Sequence, residues 1–166
     1  LVRRRSVAIP GSRKIKIWVD ADACPGDIKE LLIRTSLRRG LELTCVANQP
    51  VGIPQSEKID LILVAGGADV ADDLIANRMS AHDIVVTQDI PLAARVVEKS
   101  GVAIGPRGEL FDDRSVHSRL ATRNLMEQFR SAGQETRGPR PLNRKDIQSF
   151  ANALDRTIVR CQKQVR

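Results

Sequence analysis

Aromatic side chains are nearly absent from this chain: no tyrosine, one tryptophan and three phenylalanines, 2% of 166 residues. A surface that binds single strands by stacking bases on aromatic rings therefore has little to build with. Cysteine is scarce too. Cys24, Cys45 and Cys161 are odd in number, widely spaced and form no Cys-x-x-Cys pair, which argues against a zinc site or a disulfide framework and makes a reducing cytoplasm the default. The two histidines, His82 and His117, stand alone and offer no Ser–His–Asp arrangement. No apolar run approaches the ~20 residues of a membrane helix. The opening "LVRRRSVAIPGSRK" does not read as a signal peptide, because its short apolar stretch is broken by Pro10 and Gly11.

Positive charge is present, but its placement matters. Of the net charge of +7, residues 1 to 14 supply five positives (Arg3, Arg4, Arg5, Arg13 and Lys14) with no negatives, leaving +2 for the rest. The reading is a basic leader over 1–14, able to meet polyanions, before one domain over 15–161. The length suits a single core.

Along that domain, short apolar runs alternate with helical periodicity. "IKIWVD", "LELTCVAN", "IDLILVAGG", "DIVVTQD" and "VAIG" read as strands. Pro25 opens and Gly40 closes a first helix. "DVADDLIANRMS" and "PLAARVVEKS" supply two more, and a helical extension starts at about 115, with spans near 115–131 and 143–160. Near-continuous apolar strands between helices predict a mostly parallel sheet of about five strands, covered on both faces: an α/β/α sandwich with C-terminal helices.

The acids fall at one edge of that sheet. Strand one ends in Asp20 and Asp22, strand three runs into Asp69, Asp72 and Asp73, and strand four ends at Asp89. Ligands of open parallel sheets sit beyond the carboxyl ends of the strands. Strand residues two apart point the same way, so Asp20 and Asp22 project together if the strand persists that far. At ~4 Å and an effective dielectric of ~20 they would repel by roughly 4 kcal/mol. A cation, a proton or a basic group must offset that. For Asp69 and Asp73, helix capping is the competing role, and for Asp89, before Pro91, a turn. Oxygen ligands without nearby His or Cys suit Mg²⁺ or Mn²⁺, ions whose characteristic work is on phosphates.

Other motifs divide between structure and chemistry. Cys24 precedes a helix, but a Cys-x5-Arg phosphatase loop needs Arg at position 30, where Glu30 stands. It reads as a packed or capping thiol. "AGGAD" lacks the Gly-Lys-Ser/Thr of a P-loop. Arg107 in "GPRGE" is a candidate phosphate clamp, or else a turn arginine paired to Glu109. Arg137, Arg140 and Arg144 either line a substrate channel or are solvated. Asn48 and Thr87, at strand ends, are candidate substrate-binding partners.

"IWVDADACP", "VANQ", "DVADD", "VVTQDIPLAA", "GPRGELF" and "FANALD" together resemble the bacterial YaiI/YqxD family, over about residues 15 to 160. That resemblance implies a PIN-like domain, a fold that includes many Mg²⁺- or Mn²⁺-dependent ribonucleases. By position, Asp20 is similar to the first-strand acid of PIN domains, with Asp22 a neighbour particular to this family. Asp69 and Asp72 are similar to the central acids and Asp89 to the fourth-strand acid. The chain has Asp where PIN nucleases usually have a central Glu.

The expectation is a metal-dependent phosphodiesterase or nuclease acting on RNA. Asp20 and Asp89 would hold the ion, with Asp22, Asp69 and Asp72 completing the shell or orienting water. Pairing into a homodimer is in keeping with such relatives. The alternatives are a non-catalytic metal- or nucleic-acid-binding protein and, further off, a haloacid-dehalogenase-like phosphatase built on Asp20 and Asp22.

Overall fold

A computed structural model describes residues 14–67, 69–131 and 140–165, so all but the last residue of the basic leader lie outside the described part, as does Arg137. The described elements are β1 (Lys16–Asp20), α1 (Gly26–Arg39), β2 (Glu42–Ala47), β3 (Ile59–Leu63), α2 (Val70–Arg78), β4 (Ile84–Val86), α3 (Ile90–Glu98), β5 (Val102–Ile104), β6 (Leu110–Phe111), α4 (Asp113–Ser131) and α5 (Arg144–Gln164). They form one sheet in the order β3-β2-β1-β4-β5-β6. The first five strands pair in parallel, and β6 runs antiparallel to β5.

The continuous apolar strands are explained by two cores, one on each face. Ile17 and Val19 of β1 join Ile28 and Leu32 of α1 and Phe150, Leu154 and Ile158 of α5. Trp18 points the other way, into Ile75 of α2, Leu92 and Val96 of α3 and Val116 of α4. Strand alternation thus assigns neighbouring residues to opposite layers, and the α/β/α sandwich follows. The sheet has six strands rather than about five. The extra one is a two-residue edge strand inside "GELFDD", too short to show any periodicity.

Local signals set the helix ends. Pro25 is the N-cap of α1, and Gly40 closes it in the left-handed conformation at φ 66°, its amide donating to the Ser36 carbonyl. Asn143 caps α5 in a reciprocal capping box with Asp146. At the edge of the sheet opposite the acids, buried Asp83 accepts from the Lys16 amide at 3.0 Å, the Trp18 indole at 3.2 Å and the Ser80 amide at 2.9 Å. This ties β1 to the start of β4. Beyond the sheet, α4 leaves Leu125, Met126 and Phe129 exposed.

Candidate metal centre

The strand order reverses between β1 and β4, because the chain winds from β1 outward to β3 and then returns to β4. Such a switch point opens a crevice at the carboxyl ends of the two strands. The register places Val19 opposite Val86, so Asp20 and Thr87, the next residues along, stand side by side at its mouth. A cavity of about 280 Å³ lies there, lined by Asp20, Ala23, Cys24, Asp72, Val86, Thr87, Gln88, Asp89 and Pro106. Among the described residues, no lysine or arginine lines it.

Three carboxylates converge at this crevice: one oxygen each from Asp69, Asp72 and Asp89, all within 4.8 Å of one another. Asp69 occupies the N-cap position of α2 with φ 66° and makes no side-chain cap. Aspartate enters the left-handed region more readily than most residues. The capping role weighed for Asp69 is therefore not the one it has here: its carboxylate turns to the cluster. Asp72 lies three residues on, one turn away on the same side of the helix. Asp89 caps α3, accepting from the Leu92 amide at 2.8 Å through Oδ1. Thr87, buried, accepts the Asp89 amide on its hydroxyl oxygen at 2.9 Å, which fixes the turn that carries Asp89. Asp73 faces away, in an ion pair with Arg95 at 2.6 Å.

Three ionised carboxylates at ~5 Å repel by roughly 3 kcal/mol per pair at an effective dielectric of ~20. The positive ends of α2 and α3 offset part of this. Burial and the remaining repulsion together favour the protonated form of two of the acids. Asp72 is pushed up to about 6, by burial first and then by Asp89, Asp20, Asp69 and Asp73. Asp20 is also raised, chiefly by burial, against the opposing hydrogen bonds of the Ala23 and Asp22 amides.

Asp20 lines the cavity and feels the charge of Asp89, but it stands outside the three-carboxylate group. Asp22 is separated further. β1 stops at Asp20, so the strand alternation that would have aligned the pair does not extend to Asp22. Its carboxylate instead accepts the Asn48 amide at 2.6 Å, and its own amide donates to Asp20 Oδ1 at 3.1 Å. Asn48, exposed, thereby pins the end of β2 to the β1–α1 turn and does not line the cavity. The Cys24 thiol, half-buried against the same cavity, is pushed up to about 12, mainly by burial. Burial thus favours the protonated thiol over the nucleophilic thiolate. His82 holds Gln164 at 3.1 Å and His117 lies exposed on α4.

Arg107 does not pair with Glu109, which is taken by Arg119 at 3.0 Å. Arg107 Nη1 meets Asp146 at 2.7 Å, and Arg140 Nη1 meets the same oxygen at 2.6 Å. Asp146 is the residue that motif reading overlooked. The signal was available in Asn143-x-x-Asp146, a capping-box spacing. Gln88 and Pro106, which also border the cavity, carry no signal in sequence: an amide and a proline in a loop fit many roles.

Fold and rim together define an α/β/α domain with a carboxylate-lined crevice at its topological switch point. The chain belongs to the family described as "Uncharacterized BCR, YaiI/YqxD family", which matches residues 18–160. It is 51% identical over 146 residues to a UPF0178 protein of Thioalkalivibrio sulfidiphilus, covering 88% of this chain and 99% of that one. To a UPF0178 protein of Acinetobacter baylyi it is 52% identical over 145 residues, 87% of this chain and 94% of the relative. To one of Yersinia pseudotuberculosis it is 47% identical over 152 residues, covering 92% and 100%. No solved structure gives a significant match. Among the described residues no helix is long and apolar enough to cross a membrane.

Proposed function

We propose that the protein is a Mg²⁺- or Mn²⁺-dependent phosphodiesterase acting on RNA, with its ion held by Asp69, Asp72 and Asp89. The observation that carries this reading is the convergence of those three carboxylates at the switch-point crevice, whose lining contains no basic side chain among the described residues. An all-oxygen donor set suits these hard cations. When bound, the cation would polarise a phosphoryl oxygen and lower the pKa of water.

The chain's own residues do the rest. Asp89, fixed by its cap to Leu92 and its amide bond to Thr87, keeps its second oxygen for the ion. Asp20, in the same cavity with a raised proton affinity, orients the attacking water and accepts its proton. This departs from the sequence-based expectation in two ways: Asp20 becomes base rather than ligand, and Asp22 becomes a brace for the β1–α1 turn. The resemblance to PIN-like ribonucleases points to the same chemistry.

The test is Mn²⁺-dependent cleavage of an end-labelled RNA pool by wild type, Asp89→Asn and Asp20→Asn. Wild type should cleave, and both variants should lose at least a hundredfold in rate. Equal background cleavage in all three would refute the proposal and favour a binding protein without catalysis.

A further inference from the structure

A second cavity, of about 460 Å³, adjoins the acidic one and shares Gln88 and Pro106 with it. Its other walls are Pro25, Gly26 and Asp27 at the start of α1, Arg107 after β5, and Arg140, Pro141 and Leu142 leading into α5. We infer that this cavity holds a second phosphate of a polynucleotide chain, the neighbour of the one at the carboxylates, on the guanidinium groups of Arg107 and Arg140. The inference rests on the phosphodiesterase reading for the identity of the chain, but its geometry stands apart from it.

The two arginines are held in place before any ligand arrives. Asp146 takes Arg107 Nη1 at 2.7 Å, Arg140 Nη1 at 2.6 Å and Arg140 Nη2 at 2.9 Å. Arg107 Nη2 donates to the Arg140 carbonyl. Asp146 is itself fixed, accepting the Asn143 amide at 3.0 Å in the capping box of α5. Gly108 allows the approach. Its φ is 89°, and a Cβ there would meet the Ser149 carbonyl oxygen at 2.7 Å, so only glycine lets the Arg107 turn sit against α5.

Two guanidiniums carry ten N–H donors between them, and the four bonds just described leave several for an anion. One carboxylate behind two guanidiniums leaves that cluster with a surplus positive charge. Asp27 opposes it from the first turn of α1, in a position the positive end of that helix partly compensates. Among the described residues the acidic cavity is lined by no basic side chain and this one by two. A chain laid across Gln88 and Pro106 would therefore find an ion-bound phosphate on one side and an arginine-bound phosphate on the other. Bidentate guanidinium contacts suit phosphate oxygens.

The test is equilibrium binding of a fluorescein-labelled 2′-O-methyl hexanucleotide to the full chain, in EDTA and in Mn²⁺, over a range of salt. Arg140→Ala should weaken binding about tenfold and shallow the log–log salt slope by about 0.7, the value for one single-strand phosphate contact. Asp27→Asn should tighten binding two- to threefold. Arg156→Ala, which removes the same charge from α5 about three turns further along, outside the walls of this cavity, should leave affinity unchanged. Arg107→Lys, which keeps the charge but not the fork, should fall between wild type and Arg140→Ala.

Unchanged affinity and slope in folded Arg140→Ala, or an equal loss in Arg156→Ala, would overturn the inference. If arginine dependence persists while wild type cleaves no RNA, the second-phosphate site stands and the catalytic proposal falls. Cleavage in wild type with arginine variants indifferent has the reverse meaning.

Discussion

Replacing Asp72 by asparagine should make the metal-free protein more stable. Asparagine keeps the shape and one oxygen but removes a charge that the folded state penalises. Raising an aspartate from 3.8 to about 6 corresponds to roughly 3 kcal/mol against the ionised form at neutral pH. Solvent screening at this partly exposed position reduces that to about 1–2 kcal/mol. For a domain of this size each kcal/mol moves Tm by about 2–4 °C, so the apo variant should melt about 2–8 °C higher at pH 7.5. The pH dependence has a definite sign. In the folded state Asp72 binds its proton below about 6, in the unfolded chain below about 4, so wild type regains the lost stability as pH falls from 7 towards 4. The gap between the two proteins should close over that window.

Millimolar Mn²⁺ should raise the Tm of wild type at pH 7.5 and leave Asp72→Asn nearly unmoved, because a bound ion stabilises only the fold that holds it. Thermal melts of both proteins followed by circular dichroism in EDTA and in Mn²⁺, at pH 7.5 and pH 5, measure these shifts. An apo Asp72→Asn protein that melts at or below wild type at pH 7.5 would refute the argument that burial and the neighbouring acids together penalise an ionised Asp72 in the fold.

Gly108→Ala, which places a methyl group 2.7 Å from the Ser149 carbonyl at a positive φ, should cost about 2–3 kcal/mol in urea unfolding; a cost under 0.5 kcal/mol would show that the turn does not need glycine. Asp83→Ala strips an acceptor from the Lys16 amide, the Trp18 indole and the Ser80 amide and should destabilise by about 3 kcal/mol, whereas Asp83→Asn should lose less. Asp146 is held down at about 2, first by the hydrogen bond from Arg140. Its contribution to stability is therefore present above about 4 and lost as pH falls towards 2; Asp146→Asn should show a shallower acid limb over that window.

The sheet was legible because its strands are buried on both faces and so read as unbroken apolar runs, with Pro25 and Gly40 bracketing α1. The edge strand β6 was not, since two residues have no period. The edge at which the acids gather followed from strand polarity alone, but their grouping did not. Whether Asp20 or Asp69 joins Asp72 and Asp89 depends on where β1 stops and on a left-handed residue at the start of α2, and neither follows from residue type. Asp22 shares a face with Asp20 only if the strand persists two residues further, and β1 stops at Asp20. Of the two roles open to Arg107, the turn pairing with Glu109 does not form: its partner lies 39 residues away at Asp146, a contact that only the docking of α5 on the sheet creates.

The central claim is that Asp69, Asp72 and Asp89 close on a divalent cation. Anomalous diffraction from crystals soaked in Mn²⁺ tests it most directly. The expected result is a peak bonded to oxygens of all three carboxylates at about 2.0–2.3 Å. A map with no peak there, or with Mn²⁺ bound only at other acids, would contradict it.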